Sequence, residues 1–133
     1  MTIKKVAVIL GIILLDQIIK ACAVRSGAYV LNYGLIWGMI RLDGVVLFSL
    51  IFAVSIVLCY FSLKTTGVLS LAFSIILAGS LSNLIDRLNY GGIIDFITIL
   101  HFPRFNLADF LIVCGIILLI VKYSQNEKSF KSK

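Results

Sequence analysis

The sequence predicts an all-α membrane protein with four transmembrane helices and a small extracytoplasmic β-like segment between helices 1 and 2. Of its 133 residues, 61% are hydrophobic and 14% are charged. The mean hydropathy of +1.12 is far too apolar for a soluble domain of this size. Four segments also reach the roughly 17 to 25 residues that a spanning helix needs. They lie at about residues 5–24, 44–63, 67–87 and 107–123, and together they form a single integral-membrane domain over residues 1–133.

The first apolar segment begins like a secretory signal peptide, because Lys4 and Lys5 precede it. However, the segment contains the charged residues Asp16 and Lys20, which do not belong to the apolar region of a cleaved signal peptide. We therefore expect a retained transmembrane helix.

The lysines are distributed unevenly between the two sides of a four-helix topology. One side carries Lys4, Lys5, Lys64, Lys122, Lys128, Lys131 and Lys133, and the other carries Arg25, Arg41, Arg87 and Arg104, with Lys20 near it. Because cytoplasmic loops are enriched in basic residues, we predict that both termini and the basic tail 124–133 are cytoplasmic and that the two polar connections lie outside. This topology accounts for the net charge of +6, and we expect no nucleic-acid partner.

The cysteines and the histidine indicate neither a disulfide nor a metal site. Cys22, Cys59 and Cys114 lie in or at the edge of predicted helices, and no pair has the spacing of a zinc or redox motif. His101 has no second cluster of ligand-type residues near it in the sequence. We therefore expect free thiols and no bound metal.

In the first helix, Asp16 and Lys20 are spaced i, i+4 with the acid first, which is the favourable order for an ion pair. In a membrane such a pair must face protein or water. Two interpretations remain open at this point. The pair is either structural and orients the helix, or it forms part of a substrate cleft.

The connection between the first two helices is predicted to form a small sheet at the headgroup level. It alternates loosely between apolar and polar residues and includes Tyr29, Tyr33 and Trp37, which are aromatic residues that prefer the membrane interface. Asn32 and Gly34 are also candidates for a simple turn. Either way, this segment would cover the outer face of the bundle.

The third helix carries a polar stripe towards its end. Gly79, Asn83 and Arg87 follow one another at i, i+4 and i+8, so a close-packing position, an amide and a guanidinium share one face. Exposure of that face to lipid would be costly, so we expect it to point inward. Asp86 lies off the stripe and is predicted to be a local ion partner near the interface.

Two aspartates follow the third helix, and a structural role explains one of them. Asn106 is a natural N-cap of the fourth helix, and Asp109 lies in its first turn, where free N–H groups and the helix dipole favour a carboxylate. Asp95 lies in the extended segment before Pro103, and capping leaves it unexplained.

A catalytic interpretation needs both aspartates. Two carboxylates held close together share one proton and can act as acid and base on one water molecule. The helix N-terminus should favour the charged form of Asp109. Asp95, next to Phe96 and the apolar segment, should be the more easily protonated partner.

Five sequence blocks occur in order along these segments: DQIIK, NYGLIWG, GSLSNLIDR, GGIIDF and FNLAD. Together they resemble the five signatures of the lipoprotein signal peptidase family (signal peptidase II), and the resemblance covers nearly the whole chain. By this resemblance Asp95 and Asp109 take the catalytic aspartate positions. The positions that line or support the cleft are Asp16, Lys20, Asn32, Gly34, Gly79, Asn83, Arg87 and Asn106.

The resemblance implies an aspartic endopeptidase of the bacterial cytoplasmic (inner) membrane with its active site at the outer face. The family removes the signal peptides of prolipoproteins, cutting just before a cysteine that already carries diacylglycerol, and it uses no metal. We therefore expect diacylated prolipoproteins and membrane lipids as partners, no cofactor, and a monomer. The segments between Lys20 and Asn32 and between Asp95 and Asn106 are shorter than is usual in the family, which predicts a reduced cradle for the substrate.

Two other classes of function remain open. A small four-helix transporter would use Asp16 and Lys20 as its coupling site, although such carriers usually have pseudo-symmetric halves and this sequence has no internal repeat. A non-catalytic relative that binds lipoprotein precursors is favoured by the short cradle. Turnover of a precursor would distinguish the peptidase from both.

Overall fold

The structure, a computed structural model, describes residues 3–34 and 44–131. It contains helices α1 (Ile3–Ser26), α2 (Gly44–Lys64), α3 (Gly67–Tyr90) and α4 (Leu107–Lys131), and strands β1 (Val30–Asn32) and β2 (Ile93–Asp95). All four helices are long and apolar enough to cross a membrane. The predicted all-α membrane fold is therefore confirmed. Trp37, Gly38 and Arg41 lie outside the described residues.

Each helix is longer than the sequence predicts, and α3 and α4 differ most at their C-terminal ends. Helix α3 continues past Arg87 to Tyr90, because the chain turns only at Gly91, whose φ of 74° is left-handed and whose N–H donates to the Arg87 carbonyl. Helix α4 begins at Leu107 as predicted but continues beyond Tyr123 to Lys131. Most of the segment that we expected to be a tail is therefore helical.

Helix α3 is the centre of the bundle and packs against each of the other three helices. In its most apolar stretch 56% of the residues are buried, whereas no other helix exceeds 22%. Helices α3 and α4 approach so closely that a Cβ atom on Gly79 would lie 2.8 Å from the Ala108 carbonyl oxygen, and one on Gly115 would lie 2.5 Å from Ile76 Cγ1. This agrees with the predicted close-packing position at Gly79.

The sheet joins the two connections at one end of the bundle. Strand β1 pairs antiparallel with β2, with Val30 opposite Asp95 and Asn32 opposite Ile93. The predicted β-like segment after α1 is therefore a strand, and its partner lies between α3 and α4. A further bridge between Ile97 and Phe105 folds the chain back from β2 towards α4. We call this the sheet end of the bundle.

The opposite end is held by a different set of contacts. Lys5 Nζ, near the start of α1, donates to the Ser62 carbonyl at 2.9 Å and to the Thr65 carbonyl at 3.2 Å. These carbonyls lie at the C-terminus of α2, where a cation is favoured by the helix dipole. Lys5 therefore ties α1 to α2 far from the sheet.

Candidate active site

Asn106 holds Asp95 and Asp109 together at the sheet end. Its side-chain Nδ2 donates to Asp95 Oδ1 at 2.7 Å, and its Oδ1 accepts the backbone N–H of Asp109 at 2.9 Å. In return the backbone N–H of Asn106 donates to Asp109 Oδ2 at 3.4 Å. Asn106 is therefore the predicted N-cap of α4, and its side-chain amide also links the Asp95 carboxyl group to the backbone of Asp109.

Asp95 is buried, and its carboxyl group accepts hydrogen bonds from two side-chain amides. The side chain, 2% exposed, accepts from Asn32 Nδ2 at 3.0 Å and from Asn106 Nδ2 at 2.7 Å. The pKa of Asp95 is raised to about 6, chiefly by burial and also by the negative charge of Asp109, while the two amide hydrogen bonds act in the opposite direction. A carboxyl group with this pKa holds a proton more readily than an ordinary aspartate.

Asn32 is fixed by a turn as well as by the strand. The backbone N–H of Gly34 donates to Asn32 Oδ1 at 3.1 Å, which is an Asx-turn. With its oxygen used in this way, the amide presents its nitrogen to Asp95. Asn32 therefore both forms the turn that the sequence suggested and contacts the candidate site.

Asp109 lines a cavity of about 390 Å³. Its Oδ1 accepts from Asn83 Nδ2 on α3 at 2.7 Å. The wall of this cavity combines polar and apolar side chains, and it is formed by Asn32, Gly34, Ile51, Ser80, Asn83, Arg87, Ile93, Asp109, Ile112 and Val113. Of the two candidate catalytic aspartates, Asp109 therefore lies at a concave surface, whereas Asp95 is buried next to its amide partners.

Arg87 lines the same cavity and retains a free donor. Its Nη2 donates to the Gly34 carbonyl at 3.1 Å, whereas its buried Nε has no hydrogen-bond partner among residues 3–34 and 44–131. The sequence left open an ion pair between Arg87 and Asp86, and this pair is not among the described contacts. A buried N–H without a partner is costly, and a water molecule or a ligand can supply the missing acceptor.

A buried ion cluster lies behind the cavity and consists of Asp16, Lys20 and Asp86. Lys20 Nζ is 2.7 Å from Asp16 Oδ2 and 2.7 Å from Asp86 Oδ2, and it donates to Asn83 Oδ1 at 2.9 Å. The three charged side chains are at most 1% exposed. The predicted Asp16–Lys20 pair is therefore present, but neither residue is part of the cavity wall.

Sequence reasoning misplaced one of the three members of this cluster. Asp86, predicted to be an ion partner near the interface, is instead fully buried and shares Lys20 with Asp16. Gln17 Nε2 also donates to Asp86 Oδ1 at 2.8 Å and to Ser82 Oγ at 3.0 Å. A signal was available, because Ser82 and Asp86 are spaced i, i+4 on α3, as Asp16 and Lys20 are on α1.

The remaining ligand-type residues do not gather into a second site. In the described part of the chain no group of three His, Cys, Asp or Glu side chains is placed to hold a metal ion. Cys22, Cys59 and Cys114 are free thiols. The cavity wall offers one carboxyl group, two amides, one hydroxyl and one guanidinium, and Asn106 links the carboxyl-bearing Asp109 to Asp95.

The comparisons with known proteins agree with one another. Residues 8–125 match the family model described as Signal peptidase (SPase) II. A lipoprotein signal peptidase of Thermodesulfovibrio yellowstonii is 40% identical over 112 residues, which cover 80% of this chain and 76% of that protein. A lipoprotein signal peptidase of Caldicellulosiruptor bescii is 35% identical over 146 residues, which cover 95% of this chain and 96% of that protein.

The fold has a match among solved structures. A bacterial membrane enzyme determined by the in meso method at 2.3 Å resolution superposes on this chain with a TM-score of 0.89. The two are 26% identical, and the match covers 98% of this chain and 93% of that one. Because the family model spans most of the sequence and the fold match nearly all of it, this chain belongs to the signal peptidase II family.

Proposed function

We propose that this protein is an aspartic endopeptidase that removes the signal peptides of diacylglyceryl-modified bacterial prolipoproteins, cutting just before the lipidated cysteine. The observation that carries this proposal is the pair Asp95 and Asp109, joined through Asn106 beside a cavity between apolar helices. The names of the relatives support the substrate class. A transporter would need a coupling site that is open to a transport pathway, whereas Asp16 and Lys20 are buried and do not line the cavity.

In the proposed mechanism the two aspartates share one proton, held at rest by Asp95. Asp109 accepts a proton from a water molecule as the water oxygen attacks the scissile carbonyl carbon, and Asp95 donates its proton to the carbonyl oxygen. The product is a gem-diol. When it collapses, Asp109 gives its proton to the leaving nitrogen and Asp95 recovers one from a gem-diol hydroxyl. Both carboxyl groups then return to their starting states.

Arg87 is the proposed contact for the substrate backbone. A peptide in the cavity has carbonyl groups that lipid cannot satisfy. Arg87 lies on the cavity wall, and its Nε–H has no partner among the described residues. A guanidinium offers donors in a rigid plane and stays charged. The apolar side chains of Ile51, Ile112 and Val113 would contact apolar groups of the signal peptide.

The same proposal places the protein in the cytoplasmic (inner) membrane as a monomer, with both termini inside and the sheet end outside. The lysine distribution supports this orientation. Single cysteines introduced at Tyr33 and His101 should react with an impermeant thiol reagent added outside, while one at Lys64 should not. Labelling at Lys64 alone would reverse the orientation and make processing of exported precursors at this site untenable.

Cleavage of a diacylated prolipoprotein by the purified protein in detergent tests the function directly. Mass spectrometry of the products should give a new N-terminus at the lipidated cysteine, and EDTA should leave the rate unchanged because the mechanism uses no metal. A precursor without diacylglycerol should be cleaved poorly or not at all. Binding of the precursor without turnover would replace the peptidase with a precursor-binding relative.

A further inference from the structure

Two carboxylates of the buried ion cluster bind the backbone immediately before each candidate catalytic aspartate. Asp86 Oδ2 accepts the N–H of Ile94 at 3.1 Å, and Ile94 directly precedes Asp95. Asp16 Oδ1 accepts the N–H of Ala108 at 3.0 Å, and Ala108 directly precedes Asp109. The end of β2 and the start of α4 are therefore each attached to one of these carboxylates.

Lys20 joins the two attachments. Its ammonium group lies 2.7 Å from Asp16 and 2.7 Å from Asp86, and its remaining contact is to Asn83 Oδ1 at 2.9 Å. An ammonium has three N–H donors, so each donor has an acceptor. Lys20 is also the largest fully buried side chain in the described part of the chain.

Lys20 determines the direction of the Asn83 amide as well. Since Asn83 Oδ1 accepts from Lys20, the amide nitrogen faces Asp109 and donates to its Oδ1 at 2.7 Å. Reversal of the amide would place two oxygens against each other and an N–H₂ group against the ammonium. The orientation of the Asp109 carboxylate therefore depends on the charge of Lys20.

We infer that Lys20 is a positioning residue that sets both the separation of Asp95 and Asp109 and the orientation of the Asp109 carboxylate. The inference rests on the proposed function of these two aspartates. Without Lys20, the carboxylates of Asp16 and Asp86 would face each other as buried like charges, which is strongly unfavourable. Relief of this repulsion would move the end of β2 and the start of α4 apart.

A positioning role differs from a purely structural role in its effect on the kinetics. Lys20→Met should lower kcat by about 100-fold, the size of loss expected from a displacement of about 1 Å. KM should change by less than about twofold, because Lys20 does not line the cavity that would hold the substrate. A purely structural role would lower the yield and the Tm while leaving the kcat of the folded protein unchanged, and that result would overturn the inference.

Lys5→Met is the matched control. Lys5 is also a lysine that joins two helices through its ammonium group, but it lies at the opposite end of the bundle. Its replacement should lower the Tm and leave kcat within about twofold of the wild type.

If Lys20→Met does not yield folded protein, Asp86→Asn replaces it, since the amide keeps the shape of the side chain and removes its charge. It should lower kcat by about tenfold, and an unchanged kcat would again contradict the inference.

A second measurement tests the geometry without using cleavage. In a chain with Cys22, Cys59 and Cys114 replaced by alanine, Asp95→Cys and Asp109→Cys provide two thiols for a short bis-thiosulfonate cross-linker. Intramolecular cross-linking should be several-fold slower when Lys20→Met is added and unchanged when Lys5→Met is added. Equal rates in the three proteins would overturn the inference. If instead Asp95→Asn or Asp109→Asn remained active, the proposed function would fail while the cross-linking result still stood.

Discussion

Polar side chains are buried between helices at both ends of the bundle, but the two ends use them differently. At the sheet end, charged groups surround a cavity and Arg87 Nε has no partner in the described residues. At the opposite end, the cluster is built from Lys5 and serine hydroxyls. Ser62 and Ser74 bond to each other at 2.8 Å, and Ser70 donates to the Ser62 carbonyl at 3.0 Å.

The opposite end also has a cavity, of about 170 Å³, lined in part by Lys4, Lys5, Ser70 and Ser74. Its two serine hydroxyls already donate to backbone carbonyls, and no carboxyl group takes part in the lining described. A cavity with buried polar groups is therefore insufficient to indicate chemistry. The sheet end differs because Arg87 Nε has no partner among the described residues and because the pKa of the Asp95 carboxyl group is raised to about 6.

The comparison predicts that the largest loss of activity follows from replacing one carboxyl oxygen of either aspartate at the sheet end. Asp95→Asn and Asp109→Asn should each lower kcat by at least about 1000-fold, since an amide can neither hold the shared proton nor accept one from water. Glu127→Gln is the matched control, because it makes the same change on α4 far from Asn106 and should leave the rate unchanged. The measurement is cleavage of a diacylated prolipoprotein at matched protein levels. Substantial turnover by either aspartate variant would remove that residue from the mechanism.

Arg87 provides the next largest effect. Arg87→Lys keeps the charge but loses the planar donors and should lower kcat/KM by about tenfold, and Arg87→Ala should lower it by about 100-fold. Arg25→Lys, at the exposed end of α1, makes the same conservative change outside the site and should have no effect. Wild-type activity in Arg87→Lys would mean that the side chain merely reaches towards the headgroups, a role that lysine also fills.

The pH dependence of cleavage tests the assignment of the shared proton to Asp95. The pKa of Asp95 is raised to about 6, chiefly by burial, so the protonated acid is the main form below pH 6 and is lost as the pH rises through that value. The kcat/KM, which reports the free enzyme, should then fall by about tenfold from pH 7 to pH 8. A rate that stays constant or increases over this interval would exclude Asp95 as the group that holds the proton.

The fold was predictable because its signals are local. Segment length and hydropathy predicted four helices, and the N-cap Asn106 fixed the start of α4 at Leu107. The C-terminal ends of α3 and α4 were harder to predict, since a helix can continue into polar sequence until a residue such as Gly91 takes a left-handed conformation. Hydropathy marks the apolar part of a helix and does not mark its last turn.

The candidate site was predictable residue by residue but not as an arrangement. The sequence identified Asp95, Asp109 and Asn106 through capping and through the family resemblance. It could not reveal that Asp86 shares Lys20 with Asp16, because this contact depends on which faces of α1 and α3 meet. It also could not reveal that β1 pairs with β2, since the two strands are three residues each and lie far apart in the chain.

The smallest expected effects lie in the serine cluster at the opposite end. Ser74 Oγ bonds to Ser62 Oγ at 2.8 Å and donates to the Ser70 carbonyl at 2.7 Å. Ser74→Ala should lower the free energy of unfolding by about 1 kcal/mol, because it leaves the buried Ser62 hydroxyl with one contact fewer. Ser62→Ala should cost a similar amount for the same reason.

The double variant distinguishes a structural cluster from a functional one. If Ser62 and Ser74 contribute mainly through their bond to each other, the double variant should be less destabilised than the sum of the single ones by about 0.6 kcal/mol, the typical size of a hydrogen bond between transmembrane helices. Cleavage rates of all three folded variants should match the wild type, since neither serine is near Asp95 or Asp109. Thermal unfolding in detergent gives the coupling, and the prolipoprotein assay gives the rate. A loss of kcat in the Ser74→Ala protein at unchanged Tm would show that the opposite end is coupled to the chemistry, and the separation drawn between the two ends would then be wrong.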